Sequence, residues 1–214
     1  MNKRIEEIAS LISNRDSVID IGCDHGFLAI SLRKQGNKQL IICTDNKEGP
    51  LNSAKKNLVG YDNVTFYCTD GVSDIKEVVD TAVIAGMGND TIKHILESGE
   101  EYFRQLKHII LQTNKNAAGL RKWIMENNYH VTNERVIYEG KYYEVIVCTN
   151  GYRKMSERQI EFGPVLLRKK EKIFYEYLES KITVLNGIHH SLLTSNCDTS
   201  EVDKEIERIR KVVK

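Results

Sequence analysis

Proline is nearly missing: two residues in a chain of 214 leave no material for a polyproline or long disordered linker. Cysteine is sparse and lacks a pairing pattern. Cys23, Cys43, Cys68, Cys148 and Cys197 are odd in number, widely spaced and never form C-x-x-C. That speaks against a zinc site or a disulfide framework and for reduced thiols. No cluster of His, Cys and Asp has metal-ligand spacing, so no metal is expected. Long apolar runs are absent as well, and nothing approaches the roughly 18–20 residues of a membrane helix. Glu6 and Glu7 stand where a secretory signal would be apolar, so a soluble, cytoplasmic protein is expected. Net charge is also lacking. The 31 Lys+Arg against 30 Asp+Glu leave +1, no overall signal for a nucleic-acid partner, although such a sum hides local patches. What remains is globular material, 41% hydrophobic and 29% charged. A chain of this length buries about 70% of its unfolded surface without staples.

Ile5, Ile8, Ala9, Leu11 and Ile12 fall on one face of a helix over residues 3–14. Short apolar runs follow at 17–21, 39–44, 64–68, 81–85 and 109–111, separated by helical stretches. Apolar strands alternating with helices read as βαβ units of a parallel sheet covered on both faces. Residues 130–138 and 142–148 then read as an antiparallel hairpin about Glu139-Gly140-Lys141. The expected fold is α/β, a doubly wound, mostly parallel sheet of seven strands. Past Gly151 the texture turns helical. Residues 165–188 carry Leu166, Leu167, Ile173, Phe174, Tyr177, Leu178, Ile182 and Leu185 at helical spacing. A polar stretch at 195–200 interrupts, and Ser200 is placed to N-cap a last helix through Val202, Ile206, Ile209 and Val213. This predicts an antiparallel, coiled-coil-like helical pair. The domains expected are 1–152 and 153–214.

Four strand ends carry ligand-suited turns on one edge of that sheet. The first is Asp20-Ile21-Gly22-Cys23-Asp24-His25-Gly26. A glycine turn into a helix N-terminus lets backbone approach a ligand. A dinucleotide fold would have G-x-G-x-x-G, but Asp24 stands where the second glycine should be and would repel a pyrophosphate. A nucleoside with a cationic or neutral group suits the turn better, with Asp20 accepting from an ammonium group. Asp45, about twenty residues on and followed by Asn46, is placed to bind both ribose hydroxyls, or to cap a helix. Asp70-Gly71 suits an adenine amine, or is a plain turn. Ala85-Gly86-Met87-Gly88 offers close backbone approach and a soft apolar wall.

The ordered set Asp20-Ile21-Gly22-Cys23-Asp24-His25, Asp45, Asp70-Gly71 and Ala85-Gly86-Met87-Gly88 resembles a class I S-adenosylmethionine-dependent methyltransferase of Rossmann-like fold. More narrowly, the Asp-Ile-Gly-x-Asp-His and Ala-Gly-Met-Gly pair is similar to the bacterial tRNA (adenine-22-N(1))-methyltransferases. Further matches are Ile92-x-x-Ile95-Leu96-Glu97, Leu111-Gln112-x-Asn114, Tyr143-Glu144-Val145 and Gly163-Pro164, so the resemblance spans nearly the whole chain. Asp45 replaces the family's more frequent Glu, Asn89 a frequent glycine and Thr113 a frequent proline.

The resemblance implies methyl transfer from S-adenosyl-L-methionine to adenine N(1) in tRNA. That atom lies on the Watson–Crick edge, so the base must be exposed or flipped out. Its lone pair is already available, and catalysis rests on placement and on stabilising the positive charge passed to the base. The expected cofactor residues are Asp20, Gly22, Asp24, His25, Gly26, Asp45, Asn46, Asp70, Gly71, Ala85, Gly86, Met87 and Gly88. Asp24, with His25 and Asn114, is expected to act on the base, which Gln112 and Asn114 help to hold; the competing reading of Asp24 is a helix N-cap with no substrate contact. Arg153, Lys154, Lys169 and Lys170 belong to a basic cluster suited to tRNA phosphates, or to a solvated helix face. A monomer is expected, with the helical pair as an alternative dimer seam. A nicotinamide-dependent oxidoreductase and a non-catalytic RNA-binding protein are the competing readings. Residues 1–150 hold 18 basic and 20 acidic side chains, residues 151–214 hold 13 and 10, so the near-neutral total hides a weak split.

Overall fold

A computed structural model describes residues 3–213. Among these residues seven strands form one sheet in the order β3-β2-β1-β4-β5-β7-β6. They are β1 Val18–Ile21, β2 Ile41–Asp45, β3 Val64–Cys68, β4 Thr81–Met87, β5 His108–Thr113, β6 Tyr129–Glu139 and β7 Lys141–Asn150. The first five pair in parallel, while β7 runs antiparallel to both β5 and β6. Gly140, at φ 72, makes the turn between β6 and β7. From β1 the chain builds outward to β2 and β3, then returns to the other side with β4 and β5. The switch point therefore lies between β1 and β4, and ligands of such sheets bind outside the carboxyl ends of strands there.

Alternation along the strands sorts two cores. Val18, Ile41, Cys43, Val83, Ile110 and Val145 face α1 (Lys3–Ala9), α2 (Phe27–Lys34) and α3 (Glu48–Asn57). Ile19, Ile21, Ile42, Ile84, Leu111 and Ile146 face α4 (Asn89–Ser98), α5 (Glu100–Phe103) and α6 (Ala117–Glu126). A parallel sheet covered on both sides needs apolar residues at successive positions, hence the apolar runs in β2 and β4, and in β1 apart from Asp20. The first helix ends at Ala9, short of the residue 14 that periodicity suggested.

The described residues divide into two compact units, one through Val165 and one from Leu166. The boundary expected at 152 thus falls later. Residues 153–165 read as tail by texture, yet Met155, Phe162 and Val165 are buried, and Met155 and Val165 belong to the core shared with α4 and α6. They include α7 (Glu157–Phe162), opened by a capping box in which Ser156 accepts from Gln159 N and the Gln159 side chain answers. An ionic knot holds this segment. Arg121 and Glu134 are fully buried and bonded at 2.6 Å, Arg121 also pairs with Glu144, and Glu134 Oε2 accepts from Val165 N at 2.7 Å. Gly163, at φ 87, passes so close that a Cβ would lie 2.7 Å from both Glu134 oxygens.

The run expected as one helix over 165–188 is two. α8 (Pro164–Lys169) ends as Lys170 turns to φ 52, and α9 (Lys172–Thr194) starts afresh. α9 packs on α10 (Ser200–Val213), burying Ile206, Ile209 and Val212 and forming the expected C-terminal helical pair. Ser200 lies inside α10, and Asp198 accepts from its N–H at 2.9 Å. No described helix is long and apolar enough to cross a membrane.

Candidate active site

A cavity of about 460 Å³ opens at the carboxyl ends of β1, β2 and β4, at the switch point. Its wall takes Asp20, Gly22, Cys23 and Asp24 from the first strand end, Asp45, Asn46 and Lys47 from the second, and Ala85, Gly86 and Met87 from the fourth. Three of the four turns singled out by sequence therefore meet in one place.

Asp20 is 6% exposed and pairs in register with Cys43 on one side and Val83 on the other, on the sheet face carrying α1, α2 and α3. Burial, with Asp45 nearby, pushes its carboxyl up to about 7. A carboxylate kept in so dry a place calls for a cationic partner. Gly22 at φ 77 turns the chain out of β1, and both Gly22 N and Cys23 N donate to Thr44 O, at 2.8 and 2.9 Å. A Cβ on Gly22 would lie 2.2 Å from Met87 Cε, so glycine lets the β1 and β4 ends converge. Asp24 is exposed and left-handed at φ 47, 3.6 Å from His25. The N-cap of α2 is Gly26, with no side-chain cap bond, which removes the capping role for Asp24. Asp45 Oδ1 accepts from Lys47 N at 3.0 Å, and α3 likewise has no side-chain cap.

Gln112 and Asn114 stand behind the β4 wall and grip the Gly86 peptide from both sides. Gly86 N donates to Gln112 Oε1 at 3.1 Å, and Asn114 Nδ2 donates to Gly86 O at 2.7 Å. The clamp fits the local bulge, since the β4–β5 register shifts between Ala85 and Met87 and Gly86 sits at φ 79. Gln112 is fully buried, its Nε2 donating to Thr113 O. At the position where the family often has proline, Thr113 Oγ1 donates to Lys115 O at 2.7 Å.

Arg4 was not foreseen. On an amphipathic helix it reads as part of the solvated face, yet it lines the cavity with Ile5 and Ile8. Its Nη1 donates to Gln112 Oε1 at 2.8 Å, its guanidinium lies 4.9 Å from the Tyr143 ring centroid, and its Nε is buried without a partner among the described residues. Only a contact between helix and sheet edge reveals it, and no local pattern carries that signal. Phe27, Leu28, Pro50 and Val83 complete the wall.

Other expected residues do not line the cavity. His25 leans on Phe27 with ring centroids 5.4 Å apart. Gly26 is required by packing, since a Cβ there would lie 2.8 Å from Leu58 Cδ1. Asp70 is exposed in its turn, Gly71 O accepts from Thr44 Oγ1 at 3.3 Å, and Gly88 is the N-cap of α4. Arg153, Lys154, Lys169 and Lys170 are exposed, with Lys169 3.8 Å from Glu171. Among the described residues no group of three or more His, Cys, Asp or Glu is placed to hold a metal ion.

The donor set suits S-adenosylmethionine. Among the described residues the lining holds three carboxylates, Asp20, Asp24 and Asp45, and two cations, Arg4 and Lys47. With Asp20 ionised these groups carry one negative charge, opposite to the single net positive charge of the sulfonium, ammonium and carboxylate together. A pyrophosphate would meet the wrong sign. Fold and pocket together define a Rossmann-like, S-adenosylmethionine-dependent methyltransferase. A family model described as tRNA (adenine(22)-N(1))-methyltransferase, TrmK, matches residues 18–211, and the chain belongs to that family. The tRNA (adenine(22)-N(1))-methyltransferase of Bacillus subtilis strain 168 is 27% identical to it, over 98% of this chain and 92% of that one. A Streptococcus pneumoniae chain solved in complex with S-adenosyl-L-methionine superposes with a TM-score of 0.89 at 27% identity, both chains covered in full. TrmK of M. capricolum, solved with S-adenosyl-homocysteine, does so with a TM-score of 0.83 at 27% identity, over 100% of this chain and 99% of that one.

Proposed function

We propose that this chain transfers a methyl group from S-adenosylmethionine to N(1) of adenine 22 in tRNA. The observation that carries it is the meeting of Asp20, Asp45 and the clamped Gly86 turn in one cavity of matching charge, in a chain that fits the family from residue 18 to 211. Asp20 holds the ammonium group, Arg4 the carboxylate and Asp45 the ribose hydroxyls. When bound, the cofactor supplies an electrophilic methyl group. Gln112 and Asn114 keep the Gly86 wall rigid, so that placement is set before the base arrives. As adenine gains positive charge, the Asp24 carboxylate accepts from its exocyclic N–H and stabilises that charge. No residue has to remove a proton first.

Arg153, Lys154, Lys169 and Lys170 contact tRNA phosphates, and the helical pair serves as a grip on the RNA body. The protein acts in the cytoplasm as a monomer. The test is transfer of labelled methyl to unmodified tRNA, compared with the same tRNA carrying guanosine at position 22. Label on the first and not on the second is expected. Equal label on both, or on neither, overturns the proposal.

A further inference from the structure

The β6–β7 hairpin reaches past the sheet on the same edge as the cavity. The β5–β7 pairing ends at Gln112 and Val145, so residues 141–144 overhang it. Four residues at about 3.3 Å each carry the hairpin roughly 13 Å beyond that pairing. One of its faces closes onto the pocket side: Ile137 is buried in the core shared with α1, and its register partner Tyr143 carries Arg4 above its ring. The other face presents Tyr138 and Tyr142, directly paired across the strands with ring centroids 4.8 Å apart. Tyr138 is 47% exposed, and exposed Lys141 sits at the turn with its ammonium 5.0 Å from the Tyr143 ring centroid. A pair of tyrosines at a hairpin tip commonly serves only to pin the strands. Here the pair stands on a tip that overhangs the same carboxyl edge at which Gly86 lines the cavity, with Asn114 holding the Gly86 carbonyl from behind.

We propose that Tyr138 and Tyr142 form the stacking platform for the extruded adenine, with Lys141 at the adjoining phosphate. The inference rests on the methyltransferase reading above and adds where the base is held. An adenine drawn from its helix loses its stacking neighbours, and aromatic rings replace them without demanding a particular base. The two rings are already ordered against each other, so little side-chain freedom is lost when a base lands on them. Methyl transfer and base reading are then divided: the cavity at β1, β2 and β4 holds the donor, and the hairpin holds the acceptor.

The experiment uses the full chain and a tRNA with 2-aminopurine at position 22. On binding wild-type protein, its fluorescence should be quenched by stacking. With Tyr138→Leu the bound probe should stay bright, and kcat/KM for unmodified tRNA should fall about tenfold or more. S-adenosylhomocysteine affinity and the thermal midpoint should hold, and Tyr138→Phe, which keeps the ring, should restore quenching and most of the rate. Unchanged quenching and rate in Tyr138→Leu overturns the proposal. So does a loss matched by weaker S-adenosylhomocysteine binding or a lower midpoint, which would mark the pair as a hairpin pin, and so does a Phe variant as poor as Leu. Wild-type protein that methylates no tRNA fails the reading beneath, whereas methylation indifferent to Tyr138→Leu fails this inference alone.

Discussion

Asp20→Asn is expected to stabilise the ligand-free protein while removing its hold on the cofactor. An unfolded aspartate titrates at 3.8, whereas burial beside Asp45 pushes Asp20 up to about 7 in the folded chain. Below 3.8 both states hold the proton and nothing differs. Between the two values the folded state keeps a proton that the unfolded state has lost, so stability falls as pH rises. Above about 7 the whole cost is present. At about 1.4 kcal/mol per pH unit, the displacement amounts to at most about 4 kcal/mol. Asparagine is isosteric and uncharged and removes that cost. Urea denaturation of both proteins between pH 5 and 8 should therefore show a gap that widens toward alkaline pH in favour of the variant. Calorimetry gives the counterpart. The ammonium group needs the carboxylate, so wild-type affinity for S-adenosylhomocysteine should weaken about tenfold per pH unit below 7, while 5′-methylthioadenosine, which lacks the amino acid, should show no such slope. A stability gap that does not change between pH 5 and 8 would refute the reasoning.

Asp24→Asn and Asp24→Ala should each slow methyl transfer by about tenfold or more when single-turnover rates are measured at saturating cofactor; normal turnover in both removes Asp24 from the chemistry. Gly163→Ala forces a Cβ to within 2.7 Å of the Glu134 carboxylate at a φ of 87. It should cost about 2–4 kcal/mol in urea denaturation, because the buried Arg121 pair must part or the chain must shift.

The sheet was legible because a buried parallel strand has no solvent face, so β2 and β4, and β1 apart from Asp20, stand out as apolar runs. The turn glycines Gly22 and Gly86 were legible because glycine adopts their positive-φ backbone more readily than other residues do. Arg4 was hidden, since its role comes from a partner 108 positions away. Gln112 and Asn114 showed the right polarity at the right strand end, but their targets are backbone atoms of Gly86, which no side-chain pattern encodes. Residues 153–165 looked like tail because their anchors, Arg121 and Glu134, are charged residues that composition places at the surface. The break at Lys170 carries neither glycine nor proline to announce it.

The knot around Glu134 has a bearing on how the protein is made. Its acceptor Glu134 leaves the ribosome 31 residues ahead of its last donor, the Val165 amide. Until that amide emerges, the second oxygen of a buried carboxylate lacks that N–H, and the sheet, complete in strands since Asn150, keeps a charged seam open. The Glu134–Val165 bond therefore closes only at the last residue of the pocket-bearing unit, where the chain has just entered α8.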